Sequence, residues 1–465
     1  MTTFDGSCSP KSRTLTRSLW EPDRSEPVLD VTIGDVLRQA AADVPDAVAL
    51  VAGTPASGER RRWTYAELLR AASGVARLLA ERFEPGERLA IWAGNVAEWE
   101  IVQFGTALAG LTVVTVNPAL TEPEVRYVLG QSQAAGVVVG GPYRGMDLRA
   151  MADRIRRDLP GVREVWDLAP SSPLWEPMAE RPLPGVSPAS PAMMVFTSGT
   201  TGRPKGAVLT HRSLCNNARL FGRRLGLPPG AVWLNAMPMF HLAGSSFGGI
   251  GSLWARAAHV VTAFDPEVML DLVESERATF LPSVPTMVIA LMEAPSFTGR
   301  DLSSLRVVMA GATTLTPEFV RRTEKEFGCR FIPCFGQTEA SGVIAQGFPD
   351  DCAEDKAQRV GQPLEQVAVK VVDPRTGAVR GCGEIGEFWL RGFTTMVEYF
   401  GMSEESAATL DGDGWLHTGD LGFMDERGYL QVTGRLKEMI IRGGENVYPR
   451  EIEDALSEHP DLSEV

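Results

Sequence analysis

The sequence predicts an α/β protein. Two packed βαβ sheet lobes are expected, then a strand-rich, barrel-like subdomain and the truncated start of a small C-terminal α+β domain. Three observations predict it. Helix-period and strand-period segments alternate between residues 64 and 139, and a second such series runs from Met193 to Ser341. From Asp351 to Gly434 the pattern changes to short apolar runs separated by turn signals. The chain has 465 residues, 44% hydrophobic and 22% charged, which is length for about three domain-sized cores of ordinary globular composition.

A leader rich in Pro and Ser extends to Pro27. Thr64-x-x-Glu67 is a capping box, after which Leu68, Ala72, Val75, Ala76 and Leu79 recur at helical spacing. Residues 88–93 read as a strand, 97–110 as a helix, 112–116 as a strand, 122–131 as a helix and 136–139 as a strand. Units of this length imply a parallel sheet covered on both faces. Residues 170–191, dense in Pro and Ser, read as a linker. Asp373-Pro-Arg-Thr-Gly377 and Asp425-Glu-Arg-Gly428 mark turns in the strand-rich part. After Tyr448-Pro449 a short amphipathic helix is expected, with Ile452, Ala455 and Leu456 on one face. The expected divisions are 1–190, an N-terminal α/β lobe; 191–341, a second α/β lobe; 342–436, the β-rich subdomain; and 437–465, a hinge and the opening of the last domain.

Forty-five Lys and Arg stand against 59 Asp and Glu, a net charge of −14. That balance argues against bulk nucleic-acid binding, which depends on neutralising phosphates, and leaves anionic ligands to a local cradle. Residues 101–121 and 225–255 lack charge, but Gly110, Asn117-Pro118, Pro228-Pro229 and Pro238 interrupt them, so they read as buried elements and not as membrane spans. No apolar run follows the first charges, so no secretory signal is expected and the location reads as cytoplasmic. Six scattered cysteines and five unclustered histidines favour neither a disulfide framework nor a structural zinc site.

The strongest local signal is Thr197-Ser-Gly-Thr-Thr-Gly-Arg-Pro-Lys-Gly206, which follows an apolar strand. Gly and hydroxyl residues supply backbone N–H and side-chain O–H donors, and Lys205 adds a cation, the requirements for wrapping a polyphosphate. It is not a Walker A loop, because Gly206 stands where Ser or Thr would bind magnesium. Phe335-Gly-Gln-Thr-Glu339 combines an aromatic able to stack on a base, a hydroxyl for phosphate and a hard carboxylate for Mg²⁺. In Trp415-Leu-His-Thr-Gly-Asp420 a carboxylate stands where it can accept both hydroxyls of a ribose. Gly434-Arg435-Leu-Lys437 and the pair Gly443-Gly444 close the strand-rich region, the glycines permitting close backbone approach. Gly244-Ser-Ser246-Phe-Gly248 fits the hydrolase nucleophile-elbow pattern without a strand leading into it. Gly381-Cys-Gly383-Glu-Ile-Gly386 fits the dinucleotide pattern, but a strand follows where a helix is required. His241 is readable either as a core histidine or as a pocket residue.

In this order the segments resemble the adenylate-forming superfamily, most closely the acyl-CoA synthetase or fatty-acyl-CoA ligase branch, over nearly the whole chain. The resemblance implies a two-step reaction. A carboxylate attacks the α-phosphorus of MgATP to give an acyl-adenylate and pyrophosphate, and the thiol of coenzyme A then displaces AMP. It implies that Thr197, Ser198, Gly199, Thr200, Thr201, Gly202 and Lys205 form the phosphate loop. Gly311, Ala312 and Thr313 lie between adenine and the acyl pocket, and Phe335, Gly336, Gln337 and Thr338 meet the nucleotide. Asp420 and Arg435 serve the ribose, Glu339 and Thr200 hold magnesium, Lys437 is the hinge, and Gly443 and Gly444 wall the pantetheine channel. Lys205, Thr200, Glu339 and Lys437 would carry the catalysis.

Phe240, His241, Gly244, Phe247, Gly248, Met309 and Gly311 would line the acyl pocket, and Gly248→Leu would shorten the accepted chain. A His at position 241, where peptide-synthetase domains carry Asp, argues against an amino-acid substrate. The expected substrate is a medium-chain, long-chain or bulky hydrophobic carboxylic acid; the oligomeric state is not legible, a homodimer being one option. The chain stops at Val465 without the family's C-terminal glycine-lysine motif. The alternative expectation is therefore a half-reaction or substrate-binding form that adenylates slowly and makes little thioester. From another class, a serine hydrolase would require Ser246 to pair with a histidine in space.

Overall fold

The structure, a computed structural model, describes residues 9–53, 59–197, 203–311, 315–438, 440–442 and 445–447. Three large sheets and the helices that cover them make an α/β fold. The first sheet has six strands, in the order Glu164–Asp167, Gly136–Val139, Arg88–Trp92, Thr112–Val116, Pro191–Thr197 and Lys205–Thr210. All pairs are parallel except the last, which is antiparallel. The second has nine strands, with Arg330–Gln337, Val307–Gly311, Phe280–Ser283, Val232–Asn235, Ala258–Val261 and Val48–Ala52 in a parallel centre. Its antiparallel edges are Gly342–Gln346 with Gln362–Pro363, and Arg62–Thr64. The third, antiparallel, runs Leu19–Trp20, Val367–Val372, Gly386–Gly392, Leu416–Met424, Leu430–Arg435.

Sheet membership does not follow chain position. Val48–Ala52 and Arg62–Thr64 precede the first sheet in sequence yet join the second, and the two strands between 191 and 210 join the first. The leader is also more than a leader. Leu19 and Trp20 pair with Lys370 and Val369, and the Trp20 ring is buried against Gly428, where a Cβ would come within 2.2 Å of it. The strand-rich region holds two helices that the turn pattern concealed, Ala353–Gln358 and Ser403–Thr409. Its outermost strands, Leu19–Trp20 and Leu430–Arg435, do not pair with each other among the described residues, so the sheet is not closed into a barrel.

The capping box forms as read. Thr64 Oγ1 accepts the Glu67 N–H, and Glu67 Oε2 accepts the Thr64 N–H at 2.8 Å, starting the helix Tyr65–Arg82. The uncharged run after residue 101 is buried because the helix Ala97–Leu108 lies between the first two sheets. Glu100 bonds His259 of the nine-stranded sheet, and Gln103 Nε2 approaches Met193 Sδ of the six-stranded sheet at 3.6 Å. A helix buried all round needs apolar residues all round. No helix among the described residues is long and apolar enough to cross a membrane. The expected helix after Tyr448-Pro449 lies outside the described residues; Ile440–Arg442 and Glu445–Val447 pair antiparallel just before it.

Candidate active site

The carboxyl ends of the two parallel sheets and one face of the third border a single cleft of about 1540 Å³. Such crevices at strand ends are where open α/β sheets take ligands. Each chemical side chain reaches the cleft through a local feature of the sequence. The hairpin pairing of Pro191–Thr197 with Lys205–Thr210 sets Thr197 opposite Lys205 at the end of the six-stranded sheet. Residues 198–202 lie outside the described residues, so the placements of Ser198, Gly199, Thr200, Thr201 and Gly202 are not described.

From the nine-stranded sheet come Phe335, Gly336, Gln337, Thr338 and Glu339, at the end of Arg330–Gln337 and in the tight turn Thr338–Ala340. A Cβ on Gly336 would lie 2.0 Å from the Gly342 carbonyl oxygen, so only glycine lets the turn fold back. Gly311 ends the neighbouring strand under a similar constraint, since a Cβ there would lie 2.6 Å from the Cys334 carbonyl oxygen. Ala312 and Thr313 lie outside the described residues. The Phe335 ring faces the cleft and packs 5.8 Å from Phe388, leaving a flat apolar surface.

Glu339 is the junction between the two sheets. Its Oε1 accepts the Thr197 hydroxyl at 3.3 Å and the Tyr399 hydroxyl at 2.7 Å. Its Oε2 takes no hydrogen bond from the described residues. One carboxylate with an open oxygen beside hydroxyl groups is a hard donor set. It fits a magnesium ion that keeps waters and shares phosphate oxygens with a nucleotide.

Asp420 and Arg435 lie opposite each other in the third sheet, with Arg435 Nε 3.2 Å from Asp420 Oδ1. Burial pushes the Asp420 carboxyl up to about 6, against the opposing pull of Arg435 and with the repulsion of Glu339 and Glu387 added. Lys437 lies exposed at the cleft edge in the turn Leu436–Glu438. Gly443 and Gly444 lie outside the described residues.

An apolar arm of the cleft is walled by Leu242, Phe247, Val284, Met309 and Leu315. His241 presents its ring to this arm. Its Nδ1 accepts the Ala243 N–H at 3.2 Å, which leaves the proton on Nε2; the ring is open to the cleft, and the desolvation imposed by the surrounding walls lowers its pKa. The residue is therefore neutral and a potential donor. Phe247 lies on a π-helical segment, Ala243–Ile250, its ring tilted by 32° against Phe221 at 5.1 Å and close against Gly342.

Phe240, Gly244 and Gly248, assigned to this pocket from the sequence, are not among the residues lining it. A Cβ on Gly244 would lie 2.4 Å from the Pro238 carbonyl oxygen, and one on Gly248 would lie 2.7 Å from both Asn235 Nδ2 and His259 Nε2. Both glycines serve the packing of the π-helix, so Gly248→Leu is a disruption of the fold and not a chain-length filter. The nucleophile-elbow reading fails on the same segment. Ser246 is fully buried, and its hydroxyl has no hydrogen-bond partner, so no base activates it. Sequence reading missed Tyr399, Trp389 and His417 on the cleft wall. The last two stack at 3.7 Å in register across adjacent strands. His417 lies within the Trp415–Asp420 motif, where the carboxylate drew the reading, and Trp389 and Tyr399 stand in strand-like segments that no motif singles out.

The family model for AMP-binding enzymes matches residues 37–400. The chain is similar to the mitochondrial medium-chain acyl-CoA ligase ACSF2 of Danio rerio, 33% identical, across 98% of this chain and 80% of that one. Among solved structures it is similar to ATP-bound MatB from Rhodopseudomonas palustris, with a TM-score of 0.79, 28% identity, and coverage of 92% of this chain and 84% of that chain. It also resembles the anthranilate CoA ligase AuaEII in complex with anthranoyl-AMP, with a TM-score of 0.83, 25% identity, and coverage of 94% and 83%. The chain belongs to the AMP-binding enzyme family, in its acyl-CoA synthetase branch of AMP-forming acid–thiol ligases.

Proposed function

We propose that the protein activates a hydrophobic carboxylic acid with ATP, through an acyl-adenylate, and passes the acyl group to coenzyme A. The observation that carries this reading is the meeting of Thr197, Lys205, Glu339 and the Asp420–Arg435 pair around one cleft with an apolar arm. In this reading the adenine lies against Phe335 and the ribose hydroxyls donate to Asp420. Lys205 and Thr338 bind phosphate oxygens, joined by residues of the 198–202 loop. The acid enters the apolar arm with its carboxylate toward the phosphates. As that carboxylate attacks the α-phosphorus, pyrophosphate leaves. Lys205 then faces the charge that builds on the phosphate oxygens, and a preorganised cation stabilises it most where water is scarce. Magnesium, when bound, would neutralise phosphate charge, and Glu339 is the side chain that would hold it. The ATP of the MatB structure and the anthranoyl-AMP of the AuaEII structure support this assignment.

The acid class follows from the arm's walls. Leu242, Val284, Met309 and Phe247 offer no charge to a second carboxylate. Each methylene buried there should add about 0.8 kcal/mol until the arm is full. The test is ATP–pyrophosphate exchange, followed by acyl-CoA formation, with a series of linear acids from acetate upward and a set of aromatic acids. Exchange should rise with chain length to a maximum beyond acetate. Phe247→Leu, a smaller group on the wall, should move that maximum to a longer chain. Acetate as the best substrate, with no shift in the variant, would sink the pocket assignment.

A further inference from the structure

We infer that Tyr399 is a positioning residue that sets the Glu339 carboxylate and the Lys205 ammonium for the metal and phosphates of a bound nucleotide; this rests on the ATP-dependent reading above. The segment around it is tied to the elements of both partners. The Met396 N–H donates to the Glu339 carbonyl oxygen at 2.8 Å. On the other side, Val397 N–H to Val208 O, Val208 N–H to Glu398 O and Phe400 N–H to Gly206 O, each at 2.9 Å, lay the segment along the strand that begins at Lys205. The Ser406 hydroxyl accepts the Tyr399 N–H, also at 2.9 Å, so the residue is fixed from a third direction.

The side chain uses this placement twice. Its hydroxyl donates to Glu339 Oε1 at 2.7 Å, and the Lys205 ammonium lies 4.9 Å from the centre of its ring. With Tyr399 and Thr197 both on Oε1, the carboxylate plane is held and Oε2 remains as the donor for a cation. The ring offers Lys205 a cation–π surface. Lys205 and Glu339, opposite in sign and on either side of one tyrosine, form no ion pair with each other among the described residues. A Lys–Glu pair closed on itself would neutralise both groups that the nucleotide needs.

The test separates hydroxyl from ring. Tyr399→Phe keeps the ring under Lys205 and loses the hydroxyl, with its bond to Glu339 and its contact with the Thr409 side chain. MgATP should bind roughly tenfold more weakly, as expected for a hydrogen bond to a charged group, while ATP in the presence of a chelator binds as before. The Mg²⁺ concentration giving half-maximal binding should rise by a similar factor. Tyr399→Met, which keeps bulk without ring or hydroxyl, should weaken both forms, because Lys205 is then free to close on Glu339. Calorimetric titration reads all of these without turnover, and melting temperatures check the fold. In Glu339→Gln, the further change Tyr399→Phe should add little, since both act on one metal contact. A merely structural tyrosine would lower the melting temperature and weaken ATP equally with and without magnesium, additively with Glu339→Gln; that result overturns the inference. So does unchanged MgATP affinity in Tyr399→Phe when the parent binds MgATP. A parent chain that fails to bind MgATP overturns the ATP-dependent reading itself, and this inference with it.

Discussion

Glu339→Gln should weaken magnesium-dependent nucleotide binding and slow adenylation by about tenfold to a hundredfold, because a charge-assisted contact is worth about 1.5–3 kcal/mol. The substitution is informative because so little else changes. The glutamine carbonyl can still accept from Tyr399 and Thr197, which both use Oε1, so the turn Thr338–Ala340 keeps its anchors. What disappears is the negative charge and the open second oxygen. Lys205→Ala should cost a similar factor through a different group, the phosphate cation, and should weaken chelator-treated ATP as well. The two variants are thus distinguishable by their magnesium dependence. Nucleotide affinity and pyrophosphate exchange equal to the parent in both would remove these residues from the site.

The elements that carried the strongest local chemistry were the ones legible in the sequence. The capping box at Thr64 and Glu67 announces its helix because both reciprocal bonds are made by residues three apart. Asp420 and Arg435 could be named as a pair from their motifs, and the antiparallel register puts them opposite each other. The rest depended on contacts that no local window contains. Val48–Ala52 looks like any apolar strand, and nothing in it says that it will pair with Ala258–Val261, some two hundred residues later. Gly244 and Gly248 looked like room for a ligand because a glycine-rich segment beside His241 suggests space. The space is in fact filled, by the Pro238 backbone in one case and by Asn235 and His259 in the other. A missing side chain records close approach, and the sequence does not say of what. Tyr399 was invisible for the complementary reason, since its importance lies in two partners at positions 205 and 339.

Lowering the pH through about 6 should weaken ATP use by the parent chain but not by Asp420→Asn. Asp420 is almost fully buried, and burial raises its pKa to about 6 from the 3.8 of an unfolded carboxyl. Arg435 pulls the value down, while Glu339 and Glu387 push it up. Above pH 6 the group is a carboxylate able to accept two ribose hydroxyls; below it, the added proton converts one acceptor into a donor. The kcat/KM for ATP should therefore fall about tenfold per unit below pH 6, the slope of a single essential ionisation. Stability has the opposite sign. The folded state binds the proton more tightly than the unfolded state does, so this group's contribution is most favourable below pH 3.8 and is lost as pH rises toward 6. At neutral pH the buried charge costs on the order of 2–3 kcal/mol. Asp420→Asn removes that charge, so it should raise the melting temperature at pH 7.5 by several degrees and by progressively less toward pH 4.5. The same variant should bind ATP roughly tenfold or more weakly at pH 7.5, having lost a charged acceptor, and its ATP profile should be flat where the parent's falls. Melting curves and initial rates at five or six pH values decide it. A parent profile without a limb near pH 6, or a destabilised Asp420→Asn at pH 7.5, would mean that Asp420 is held ionised by Arg435 and carries structure, not ribose recognition.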